Sequence, residues 1–337
     1  MSIVHLDTGA GHGDGPREEA DEKGRIEALR MRSATALEAA YGFLKRQSDD
    51  WALLRAELLC EARPVEDLAS ELTAVQRPDG SFPLLTLVSG GGLGFPPTPP
   101  DSLDRDAASI VGTFEALSMA ADAKALHAGW VEPAVRFLES RQQDDGAYRI
   151  RTRPPRDHRV EEAAAAEEAD TERDAEIFWT GMIAGLLGRL PVARPAGLEA
   201  AGGFLAPLFT PEAVEQDGYP ALCAHAHFFT NVAHDLSDEA LQWCGRALEK
   251  GFRSRHLDGV STLRVLLLCD AQAMPGATFD VVELLERVLE EQAGDGGYAE
   301  LSLSGPEGRT TQTFDAMLAI VRLCAALDDP TEGPART

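Results

Sequence analysis

Cationic side chains are scarce in this chain. Its 337 residues carry 31 Lys and Arg against 56 Asp and Glu, a formal charge of −25 with His neutral. Nucleic acid is therefore not an expected partner, because affinity for it rests on basic side chains that displace counterions from phosphates. An anionic membrane surface is disfavoured for the same reason. Cysteine is sparse as well: Cys60, Cys223, Cys244, Cys269 and Cys324 are odd in number and contain no C-x-x-C pair. Neither a disulfide framework nor a zinc ribbon is indicated, and a reducing, cytoplasmic compartment is expected. No stretch approaches the roughly 18 to 20 apolar residues of a membrane span, and the N-terminal MSIVHLDTGAGHGDGPREEADEKG has no apolar signal core. There is no G-x-S-x-G elbow and no H-E-x-x-H string, and the run Gly90–Gly94 lacks the Lys-Ser/Thr that completes a phosphate-cradling loop.

Helical periodicity is abundant. Leu29, Ala36, Leu37, Ala40, Phe43 and Leu44 recur at helical steps along one stripe, and similar stripes predict helices near 25–47, 51–62, 64–76, 105–122, 130–142, 172–190, 195–208, 219–234, 237–252, 259–271, 279–292 and 311–327. Strand signals are minor or absent. Residues 1–23 and 328–337 are too polar to bury much surface and read as tails around one domain, 24–327. Two insertions interrupt the helices: a Gly/Pro-rich segment over 83–103 that cannot be helical, and 150–171, which reads as a charged surface helix or a flap.

Three predicted helices end in the same string, Q-x-x-D-G-x-F/Y, at Gln76–Phe82, Gln142–Tyr148 and Gln292–Tyr298, and a degenerate copy lies at Gln216–Tyr219. The chemistry of the string is structural. Gly supplies the positive φ that closes a helix, Asp caps the next turn, Gln bonds backbone groups across the junction and the aromatic ring packs between neighbouring hairpins. Recurrence at such regular intervals argues for a helical-repeat architecture.

This string resembles the QW-type repeat of the terpenoid cyclase and protein prenyltransferase superfamily. Arg309-Thr-Thr-Gln-Thr-Phe-Asp-Ala-Met-Leu, Ala107-Ala-Ser-Ile-Val-Gly-Thr-Phe-Glu-Ala-Leu and Asp174-Ala-Glu-Ile-Phe-Trp-Thr-Gly-Met resemble the inner-helix openings of its squalene and hopene cyclases. The resemblance, spanning about 25–327, implies an all-α fold, an (α/α)6 toroid of about six helical hairpins. It also implies an isoprenoid-handling protein that takes a prenyl chain or prenyl diphosphate into a central apolar cavity, with the long insertions as candidate covers.

Family signatures are only partly present. Cyclases of this type resemble the chain but carry Asp-x-Asp-Asp, where one protonated acid starts cyclisation; Asp104-Arg-Asp106 keeps two acids, followed by Ala107. A neighbouring carboxylate is the kind of group that raises a donor's pKa, yet both acids are equally well explained as helix caps. Asp174 precedes Phe178 and Trp179, whose rings would stabilise a carbocation, although acids also gather at helix starts for dipole reasons. Lys250 and Arg253 are the diphosphate candidates. Prenyltransferase-like zinc would need an Asp-x-Cys pair, which is missing. Cys223, His227 and His234 share a helical stripe, but three ligands along it span roughly 16 Å, too far for one ion, so Cys223 with His227 is the weak metal candidate. No strong motif supports Mg or Zn, and the cofactor stays open. The competing expectation is a non-catalytic toroid acting as a binding or scaffold module. Only four Trp and four Tyr, and the lack of both signatures, favour it. Nothing identifies a partner chain.

Overall fold

The structure is a computed structural model that describes the backbone of residues 15–85, 103–150, 162–216, 218–271, 273–299 and 308–328, with side chains from Lys23 onwards in the first helix and from Glu172 onwards in the sixth. Helices run over α1 Gly15–Leu44, α2 Asp50–Leu59, α3 Val65–Val75, α4 Arg105–Asp122, α5 Val131–Glu139, α6 Glu162–Gly188, α7 Pro195–Leu205, α8 Pro211–Gln216, α9 Gly218–Asn231, α10 Ser237–Arg253, α11 Gly259–Leu268, α12 Val281–Glu290 and α13 Gly308–Asp328. The chain is all-α: among the described residues there is no strand, and Gln292 and Tyr298 form an isolated bridge. Each helix expected from periodicity is present. The differences are a first helix that runs back to Gly15, a sixth that starts at Glu162 inside the second insertion, and the short α8. Residues 1–14, 86–102, 151–161 and 329–337, with most of the first expected cover and half of the second, lie outside the described residues.

Local chemistry sets the helix ends. Asp49, Asp104, Asp258 and Asp280 each accept the backbone N–H three residues on, at 2.9, 2.8, 2.6 and 2.7 Å, capping α2, α4, α11 and α12. Burial then sorts the helices. In α5, α10 and α12 a single apolar stripe is buried, such as Leu284, Leu285 and Val288 of α12, whereas α4, α9 and α11 are buried around most of their circumference.

The largely buried helices pack in succession, α4 on α6, α6 on α9, α9 on α11 and α11 on α13, and α13 packs on α2. An Arg55–Asp122 ion pair of 2.7 Å joins α2 to α4. The amphipathic helices flank them: α3 on α2 and α4, α5 on α4, α7 on α6, α10 on α9 and α11, α12 on α11 and α13. α6 and α9 approach closely because Gly181, Gly185 and Gly188, at helical spacing, face Ala224, His227 and Asn231 with no room for a Cβ.

The three repeated strings build the same turn. Gly80, Gly146 and Gly296 have φ of 87°, 87° and 88°, and each lies against a backbone carbonyl of the next flanking helix, that of Pro133, Ala200 or Ala39. Gln76, Gln142 and Gln292 each donate from Nε2 to two carbonyls, one inside the turn and one beyond it: Trp130 at 3.0 Å, Gly197 at 2.8 Å and Ala36 at 2.8 Å. Asp79, Asp145 and Asp295 accept the N–H two residues on. The backbone N–H of Phe82, Tyr148 or Tyr298 then donates to a threonine hydroxyl, Thr113 of α4, Thr180 of α6 or Thr313 of α13, at 3.0, 2.8 and 3.0 Å. Each turn thus ties the end of one flanking helix to the next flanking helix and to a buried one. In the third, α12 is tied to α1, far apart in sequence. Of the degenerate copy, Gly218 begins α9 and the Tyr219 hydroxyl donates to the Ser261 carbonyl at 2.8 Å, while Asp217 lies outside the described residues.

Candidate functional site

Among the buried helices, whose packing is mostly apolar, lies a charged cluster. Arg264 of α11 pairs with Asp315 of α13 at 2.9 Å, with side chains 10% and 2% exposed. Beside them the Arg55 guanidinium stacks on the Phe314 ring, 3.7 Å from its centroid, while pairing with Asp122. Burial pushes the Asp315 carboxyl up, opposed by the two guanidinium charges. Among the described residues, the Nε atoms of both arginines and Oδ2 of Asp315 have no hydrogen-bond partner. Sequence reasoning missed this cluster. Its signal was present, since Arg55, Arg264 and Asp315 each sit inside an otherwise apolar helical run.

The predicted acids do not converge. Asp104 spends its carboxylate capping Ala107, and Asp106 is exposed and paired with Arg141 at 3.2 Å. Asp174 is half-buried on α6. Phe178 and Trp179 are fully packed: their rings meet edge to face at 5.1 Å, and Trp179 meets Phe114 at 5.8 Å. Cys223 and His227 are buried on α9. Burial drives the Cys223 thiol up to about 12 and His227 down to about 3, so both are uncharged, and His227 Nδ1 lies 2.7 Å from the Leu268 carbonyl, to which it donates. Among the described residues no group of three or more His, Cys, Asp or Glu is placed to hold a metal ion.

Lys250 and Arg253 part company. Arg253 is held by Glu249 and Glu283. Lys250 instead lines a cavity of about 350 Å³ between α8, α9 and α10. Val214, Leu222, Ala247 and Leu257 supply apolar walls, and Tyr219 adds a ring. Glu215, Lys250, Ser254 and His256 form the polar edge. The wall from Ser254 to Leu257 is the α10–α11 turn, in which Arg255 adopts a left-handed φ of 60°. Sequence reasoning reached Lys250 and His256 through their cationic cluster, but not Tyr219 as a neighbour, because it comes from a separate helix.

Behind that turn lies an acid pair. Glu291 accepts the Gly259 N–H at 2.8 Å and Asp258 caps Ser261, with Arg287 3.8 Å from Glu291. Burial, reinforced by Asp258, raises Glu291 from 4.5 to about 7. The folded state therefore holds this proton more tightly than the unfolded chain. Its contribution is fully present below about pH 4.5 and is lost progressively as pH rises through about 7. Glu291→Gln keeps the accepting oxygen, so it is expected to flatten this fall in chemical-denaturation midpoints between pH 5 and pH 8. A variant with an unchanged pH profile would contradict the assignment.

No protein-family model matches this chain, and no curated protein matches it.

Proposed function

We propose that the chain is an α/α toroid of six hairpins that binds a prenyl-type ligand, an apolar chain ending in a small anionic group, between α8, α9 and α10. The toroid is supported by the order of packing, α4, α6, α9, α11, α13, α2 and back through Arg55–Asp122, and by the Gln292 turn that brings α12 to α1. The isoprenoid class rests on the repeat's resemblance. The observation that carries the site is that Val214, Leu222 and Leu257 line one cavity together with Lys250.

Binding rather than cyclisation is the activity this geometry favours. Asp104, which caps α4, Asp106 in its first turn and Asp174 on α6 contribute nothing to the cavity lining, so a chain held there has none of the expected acids against it. The polar cluster of Arg55, Asp122, Arg264 and Asp315 also argues against a central apolar chamber.

Native mass spectrometry with geranyl, farnesyl and geranylgeranyl monophosphates tests the reading. Saturable one-to-one binding is expected, and Leu222→Arg, which places a charge in the apolar wall, should weaken it at least about tenfold. Binding at no chain length would sink the proposal.

A further inference from the structure

We infer that Glu215 is a built-in competitor for the ligand's anionic head and thereby sets the charge selectivity of the cavity. This inference rests on the binding reading above and adds the residue that decides which head groups are accepted. Glu215 stands in the last turn of α8, and its Oε1 lies 3.2 Å from Lys250 Nζ across the cavity edge, both residues lining the cavity. A carboxylate already occupies the place that a ligand phosphate would take. The next cation along α10, Arg253, cannot substitute, because Glu249 and Glu283 hold it on the other side.

The pair is loose enough to be displaced. The Lys250 and Glu215 side chains are 70% and 52% exposed, and a solvent-screened ion pair of this kind biases an equilibrium by no more than roughly fivefold. A phosphate monoester carries about −1.5 to −2 charge at neutral pH and three acceptor oxygens, against one charge on the carboxylate, so it displaces Glu215 from Lys250. A neutral alcohol cannot, and it binds through the apolar walls alone. Within a chain of net charge −25, a single neutralised lysine also admits anions selectively rather than attracting them from afar. The order of preference that follows is phosphate over carboxylate over alcohol.

Titration calorimetry with geranyl monophosphate and with geraniol, on the full chain and on Glu215→Gln, Lys250→Gln and the double variant, separates the possibilities. Glu215→Gln is expected to tighten the phosphate about threefold and leave geraniol unchanged, with no effect of Glu215→Gln once Lys250 is Gln. Equal tightening of both ligands, no tightening of either, or the same gain in the Lys250→Gln background would overturn the role of Glu215. If geraniol binds and Leu222→Arg abolishes it while Glu215→Gln changes nothing, the cavity stands and the competitor fails. If neither ligand binds the unaltered protein, both readings fall together.

Discussion

Gly296→Ala is expected to lower the unfolding free energy by about 3 kcal/mol or more, measured by urea denaturation. A left-handed φ costs an L-residue about 1–2 kcal/mol, and Gly296 sits at 88°. A Cβ there would press into the Ala39 carbonyl of α1, and such overpacking adds about 1–3 kcal/mol. Retreat of α1 to relieve the clash would break the Gln292 bond to Ala36, leaving a half-buried amide with one of its two partners. Gly294→Ala two residues earlier is the control, because a Cβ there meets nothing within 4 Å. A Gly296→Ala midpoint equal to that of the control would show that α12 does not rest on α1 in this way.

The second large effect belongs to the buried ion pair. Arg264→Met or Asp315→Leu alone leaves a charge without its partner among packed helices, a loss of about 3–5 kcal/mol. The double variant should be more stable than either single one, since an apolar pair of similar volume no longer strands a charge. Arg55 and Asp122 lie close enough to modulate the result, because both act on Asp315. Additive losses in the double variant would contradict a directly coupled pair. Adding Arg55→Met to either single variant separates this pair from its neighbour.

How much of this was readable beforehand depends on the range of the interactions. The helices were legible because each buries a stripe at a 3.6-residue period, which is a local property; α8 was not, because six residues complete too few turns to show one. The repeated turns were legible for the same reason, with Gln, Asp and Gly acting within seven residues. What the Gln reaches beyond the turn was not, since Ala36 is 256 residues from Gln292. The charged cluster was hidden because Arg55 and Asp122 are 67 residues apart, and Arg264 and Asp315 are 51 apart.

The candidate acids illustrate a different obstacle. A carboxylate at a helix start serves a cap and a proton donor equally well in sequence, and at Asp104 the bond to the Ala107 N–H is a capping bond. Phe178 and Trp179 had the spacing of either a core or a cation-stabilising wall, and both are packed in the core. Lys250 and Arg253 are three residues apart on α10, yet one meets Glu215 at the cavity and the other meets Glu283 of the neighbouring helix. That difference depends on which element lies against each residue, which no local pattern encodes.

Hydrogen–deuterium exchange with and without geranyl monophosphate tests the placement of the site most directly. Ligand-dependent protection is predicted in peptides covering Val214–Leu222 and Ala247–Leu257, with those carrying Asp104, Asp106 and Asp174 unchanged. Protection centred on the α4 and α6 acids, with none around Leu222 and Lys250, would contradict the account and return the site to the acids.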